Sequence, residues 1–193
     1  MLNSNFVIVG VVIALIGGMG YVIDTLNGKA KPNRVTFLLW AISTFIAFFA
    51  QIKQGVGVQA LLTLSGGLIA LMTFIASFLN KKAYWKITSF DIACGIFSAL
   101  ALILWQITKV GNTAIALSIV ADILAAIPTL VKSHRYPHTE NAPAYLACTI
   151  AAVLTILTIT HWSFENYAWP FYTLSINSLI YILITARPRV KRR

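Results

Sequence analysis

Charge is scarce in this chain: Asp, Glu, Lys and Arg make up 10% of 193 residues, against 59% hydrophobic. Soluble domains carry about 25% charged residues, so a soluble globular class is excluded. Acidic residues number only five. Cysteine is limited to Cys94 and Cys148, both inside apolar stretches. A disulfide between them is not expected there, and small apolar packing is. The histidines do not cluster: His134 and His138 share a loop, and His161 stands apart. No phosphate-binding loop, nucleophile elbow or HExxH pattern occurs. No catalytic set, metal or cofactor is therefore expected, and the chain reads as a non-enzyme. ATP-driven transport would need a partner subunit. The last apolar stretch has no lysine to hold a retinal.

Long hydrophobic runs, by contrast, fill the sequence. Seven apolar segments lie near 6–26, 34–52, 57–79, 87–108, 112–132, 142–161 and 166–186. Each approaches the ~20 residues that carry a helix across ~30 Å of hydrocarbon. The expected class is all-α, a polytopic membrane protein with seven transmembrane helices. The basic residues sort by side. Lys29, Lys31 and Arg34 follow segment one, Lys81, Lys82 and Lys86 segment three, and Lys132 and Arg135 segment five. Arg187, Arg189, Lys191, Arg192 and Arg193 form the tail, while only Lys53 and Lys109 fall on the other side. The positive-inside rule then places the N-terminus outside and the C-terminus in the cytoplasm, in a plasma (inner) membrane. The net charge of +10 reads as topogenic and faces anionic lipid heads, which removes nucleic acid as a partner. Segment one lacks a basic leader and a small-x-small cleavage site, so it is expected to stay in the mature protein. Trp85 on the basic side, and Trp162, Tyr167 and Trp169 on the other, are expected as interface aromatics.

The chain also repeats itself. Ile23-Asp24-Thr25-Leu26, followed by a basic loop with Pro32, matches Ile127-Pro128-Thr129-Leu130, followed by a basic loop with Pro137. Thr63-Leu64-Ser65 in segment three matches Thr173-Leu174-Ser175 in segment seven. Segments one to three thus recur as five to seven, with segment four left as connector. A three-helix unit ends on the side opposite its start. One extra crossing restores orientation, giving two parallel three-helix bundles plus a connector helix (3+1+3) about an axis along the membrane normal. The corresponding division is 1–82, 83–110 and 111–193.

This arrangement resembles the SWEET and PQ-loop transporter group. The local match is Ile127-Pro128-Thr129-Leu130-Val131-Lys132, then Arg135 and Thr139-Glu140. Thr129 stands where the PQ-loop pattern has Gln, and Asp24-Thr25 replaces Pro-Gln in the first repeat. Nicotinamide riboside transporters resemble the same architecture. The resemblance implies an inner-gate hinge at Pro128 and a sugar contact at Asn177.

Several residues carry two readings. Pro128 removes a helix hydrogen bond and clashes with the carbonyl of Leu124, as a hinge or as a tolerated membrane proline. Asp122, midway along segment five, is costly by several kcal/mol unless paired or protonated. It serves protons or substrate, or else bonds a neighbouring helix. Asp24 latches the gate or forms a plain interfacial ion pair. Asp91 complements the start of a helix. Asn177 donates and accepts for hydroxyl-rich solutes, or links helices. Ser65 and Ser175 share that ambiguity. Trp40, with Tyr145 at the matching place, walls a central cavity or faces lipid. Gly17, Gly18, Gly20, Gly66 and Gly67 let helices approach.

Together these readings give a carrier of a sugar or other small polar metabolite by alternating access, proton-coupled if Asp122 titrates. The cavity comprises Trp40, Ser65, Asp122, Tyr145, Ser175 and Asn177, with Asp24 and Pro128 at the gate. The expected partners are the bilayer, the small-molecule substrate and, for assembly, further copies of the chain. The alternative is a membrane receptor of the same architecture that binds ligand without moving it.

Overall fold

The computed structural model describes residues 2–108 and 111–186, the side chains of 105–108 excepted. Lys109 and the basic tail 187–193, read above as topogenic charges, lie outside the described residues. The helices are α1 (Asn5–Leu26), α2 (Arg34–Lys53), α3 (Ala60–Leu79), α4 (Ser89–Thr108), α5 (Gly111–Arg135), α6 (Ala142–Leu157) and α7 (Phe164–Thr185). Single 3-10 turns cover Lys81–Ala83 and Pro137–Thr139, and the described residues contain no strand. Each helix coincides with one apolar segment. Five of them, α1, α2, α3, α5 and α7, are long and apolar enough to cross a membrane; the apolar part of α4 over the fully described residues, Ser89–Leu104, and α6, Ala142–Leu157, are shorter stretches. The apolar segment is expected over 142–161, but α6 stops at Leu157, with Thr158 at its C-cap.

Local chemistry explains the boundaries. The α1 C-terminus closes in a Schellman turn: Gly28 takes φ +72°, its N–H bonds Thr25 O, and Lys29 N–H bonds Asp24 O. Asn33 caps α2 by accepting from Val35 N and Thr36 N, and Asn141 caps α6 by accepting from Ala144 N. At the head of α4, Thr88 N–H donates to Asp91 Oδ2 (2.6 Å) and Asp91 N–H to Thr88 Oγ1 (3.3 Å). That reciprocal pair is a capping box, as expected of Asp91. Asn33 Nδ2 also donates to Asp91 Oδ1 (3.0 Å), joining the two caps.

Burial is inverted relative to a soluble protein. Ile16 is 69% exposed and Leu79 72%, while Ala14, Ala47, Ala121, Ala126, Thr36, Thr63 and Ser118 are buried. Large aliphatics outside and small residues inside are what lipid-facing helices require, because close packing rather than water exclusion joins them. Gly17 and Gly18 show how close. A methyl on Gly17 would stand 2.4 Å from Ala147 Cβ of α6, and one on Gly18 would stand 2.5 Å from Ile69 Cγ1 of α3. Gly20, grouped with them on sequence, has nothing within 4 Å.

Packing follows one cycle of neighbours. α3 lies between α1 and α2, α2 packs on α5, α7 lies between α5 and α6, and α6 packs on α1. α4 sits outside this cycle against α5 and α2.

Candidate functional site

The six helices of the cycle line a cavity of about 100 Å³. Several-fold less would hold one water. The stripe that α3 contributes is Leu62, Ser65, Gly66, Ile69 and Ala70; that of α7 is Trp169, Tyr172, Thr173, Ile176 and Asn177. Both follow the i, i+3, i+4, i+7 rhythm of one helix face. They are in step with each other position by position.

Of the expected cavity residues, Trp40, Ser65, Asp122, Tyr145 and Asn177 line this space. Ser175 does not. It is exposed, and its hydroxyl bonds Phe171 O of its own helix (2.8 Å). On α7 it is Tyr172, three residues before Ser175, that faces the cavity. Counted from the capping asparagines, Tyr145 matches Phe37, each four residues past its cap. Trp169, expected at the interface, is instead 3% exposed and part of the cavity wall.

Aromatic rings dominate the lining: Tyr21, Phe37, Trp40, Tyr145, Trp169 and Tyr172. Phe37 and Trp40 meet edge-on at 5.2 Å, Trp169 and Tyr172 at 5.5 Å. Ring faces suit planar or pyranose-like solutes.

Asp122 sits where α2, α5 and α7 meet. Its Oδ1 accepts from the Ser43 hydroxyl, and its Oδ2 accepts from the Tyr172 hydroxyl (2.5 Å). Its backbone carbonyl accepts from Trp40 Nε1 (3.1 Å), and one turn on Thr36 Oγ1 donates to Ala125 O (2.7 Å). Thr36, Trp40 and Ser43 thus form one stripe of α2 that donates into α5. Among the described residues no cation pairs with Asp122. Its two oxygens are met by hydroxyls, whose protons can turn toward a solute in the same space.

Beside the cavity, around Tyr21 and Tyr145, lies a cluster that sequence reasoning missed. Glu140 Oε2 accepts from Tyr21 OH (2.6 Å) and from Tyr145 OH (2.9 Å). Its Oε1 pairs with Lys132 Nζ at 2.6 Å, with the two side chains 0% and 1% exposed. Lys132 also donates to Lys31 O and lies 4.8 Å from the Trp85 ring centroid. Lys132 had been read as a topogenic charge facing lipid heads. Its burial corrects that reading: a charge with this partner is held inside the protein, not offered to the membrane. The signal was available, since Glu140 is the one acid in an otherwise basic loop. Tyr21, Ser43 and Tyr172 carried no such mark.

The gate residues lie nearby. Asp24 Oδ2 accepts from Asn141 Nδ2 (2.6 Å), and its Oδ1 is 3.9 Å from Lys29 Nζ. It therefore ties the end of α1 to the start of α6. Pro128 is buried within α5, one turn before Lys132, and the helix continues through it to Arg135. A second proline, Pro170, sits inside α7 beside Trp169. Cys94 and Cys148 are free thiols, the latter against the cavity. No acidic, histidine and cysteine grouping among the described residues could hold a metal. No protein-family model, curated protein or solved structure matches this chain.

Proposed function

We propose that this chain is a membrane transporter for a small polar solute and works by alternating access. In this reading α1–α3 and α5–α7 are two parallel bundles, α4 is their connector, and the SWEET and PQ-loop group offers the nearest architectural analogy. The observation that carries the reading is the agreement of the two stripes, Leu62 to Ala70 and Trp169 to Asn177, across one shared cavity. A cavity between repeats related by an axis along the membrane normal is where such carriers bind. The helix cycle supports it too, because exchanging α1 with α5, α2 with α6 and α3 with α7 leaves every neighbour relation of the cycle unchanged.

The roles follow from position. Trp40 and Tyr145 stack on the solute, Asn177 and Ser65 supply hydrogen bonds, and Asp122 couples a proton or orients the solute through Ser43 and Tyr172. The Tyr21–Tyr145–Glu140–Lys132 cluster is the closed inner gate, flanked by Asp24 and Pro128. A sugar is the first substrate class to try. Uptake of radiolabelled sugars and other small polar metabolites into proteoliposomes tests the reading. Saturable uptake that is lost in Asn177→Ala and Trp40→Ala is the expected result. Specific binding with no uptake would leave a receptor of the same architecture in its place.

A further inference from the structure

A second, larger cleft lies outside the helix cycle, where the start of α4 meets the end of α5. It has about 530 Å³ open to water-sized centres. Its lining divides by chemistry. Lys86 and Arg135 form a cationic rim, Trp85 and Tyr136 stand edge-on at 5.4 Å, and Phe90, Pro128 and Val131 give an apolar wall, with Lys132 behind it. Phe90 and Val131 are exposed.

The charges in this cleft are unequal in availability. Lys132 is neutralised by Glu140 and serves as wall. Asp91 is turned inward, its two oxygens taken by Asn33 and Thr88. Lys86 and Arg135 are exposed, and neither forms an ion pair with a described residue. Two free cations therefore remain beside an open apolar wall and a pair of interface-type aromatics. A free phosphate would use only the first of these features. A phosphate ester carrying an acyl chain uses all three, because the aromatics mark headgroup depth and the apolar wall points to hydrocarbon.

We propose that this cleft seats an anionic phospholipid, its phosphate between Lys86 and Arg135 and its chain along Phe90 and Val131. The site is independent of the transport reading. It does not require solute to cross, and a failure of either leaves the other standing.

The test uses the full chain purified in neutral detergent. Thermal stability is titrated with phosphatidylglycerol, phosphatidylcholine of the same chains, and soluble glycerol phosphate. Bound ligand that prefers the folded state raises the melting temperature by mass action. Phosphatidylglycerol is expected to stabilise, and the other two are not. Lys86→Gln with Arg135→Gln should weaken that binding roughly thirtyfold, given about 1 kcal/mol per cation near an anionic surface. Lys81→Gln with Lys82→Gln, on the same basic end but outside the cleft, should leave it unchanged. Equal stabilisation by phosphatidylcholine would remove the charge recognition. Equal stabilisation by glycerol phosphate would make the site a phosphate site without a lipid. An equal loss in the Lys81, Lys82 pair would reduce it to diffuse surface attraction. Any of the three overturns the proposal.

Discussion

Lys132 and Glu140 form a buried charge pair, 1% and 0% exposed. Removing one partner strands a charge in a site almost closed to solvent, which costs about 3–5 kcal/mol in buried pairs. Lys132→Met alone should therefore lower the thermal stability of the detergent-solubilised protein severely. Combining it with Glu140→Gln should restore much of the loss, since an amide keeps bonds to Tyr21 and Tyr145. Equal melting temperatures for the single and the double variant would contradict the buried-pair account. Tyr172→Phe makes a smaller, separate case. It strips one hydroxyl from Asp122 and leaves a buried acceptor short of a donor, at about 1–3 kcal/mol. The same denaturation measurement checks it. Asp122→Asn keeps the size of the side chain and can still bond Ser43. It is expected to fold normally, and any proton dependence of uptake should vanish with it in liposomes at varied pH.

Between helices, contact distance rather than side-chain volume decides. Gly17 meets Ala147, and Gly10 lies 3.2 Å from the Ala151 Cα by its missing methyl. Gly17→Val should therefore push α1 off α6, with an overpacking penalty of about 1–3 kcal/mol in chemical unfolding. Gly20→Ala is the internal control. Its methyl would enter open space, and the helix gains up to about 1 kcal/mol of propensity. A Gly20→Ala variant as damaged as Gly17→Val would mean that the α1–α6 contact is not the cause. The caps are a second device of this scale. Asn33 closes the start of α2 and reaches the cap of α4, and Asn141 closes α6 and reaches Asp24 at the end of α1. Each asparagine so ties its helix start to a second helix that is not its sequence neighbour.

For the molecule as a whole, sidedness is the expectation most directly checked. On a background with Cys94 and Cys148 replaced by Ala, Lys53→Cys should react in intact cells with a membrane-impermeant maleimide. Lys82→Cys should react only after permeabilisation. Labelling of both in intact cells would break the alternation of crossings on which the parallel-bundle reading rests. Several features bear on that reading without depending on the membrane. The helix cycle and the cavity-facing stripes of α3 and α7 are two of them.

The sequence by itself determined where the helices run, because an apolar run near 20 residues long has one stable form when its backbone groups lack water. It also marked Asp122, since a carboxylate at such depth is expensive, and singled out Trp40, Ser65, Tyr145 and Asn177, which line the cavity. Rotation was beyond it. Only packing could show that Ser175 turns out of the cavity while Tyr172 turns in. Partnership was beyond it as well. Lys132 and Glu140 are eight residues apart on paper, yet it is the fold of the loop after α5 that brings them together under Tyr21 of α1. A charge reads the same in sequence whether it faces lipid heads or a buried carboxylate. The difference lies in what the other helices place beside it.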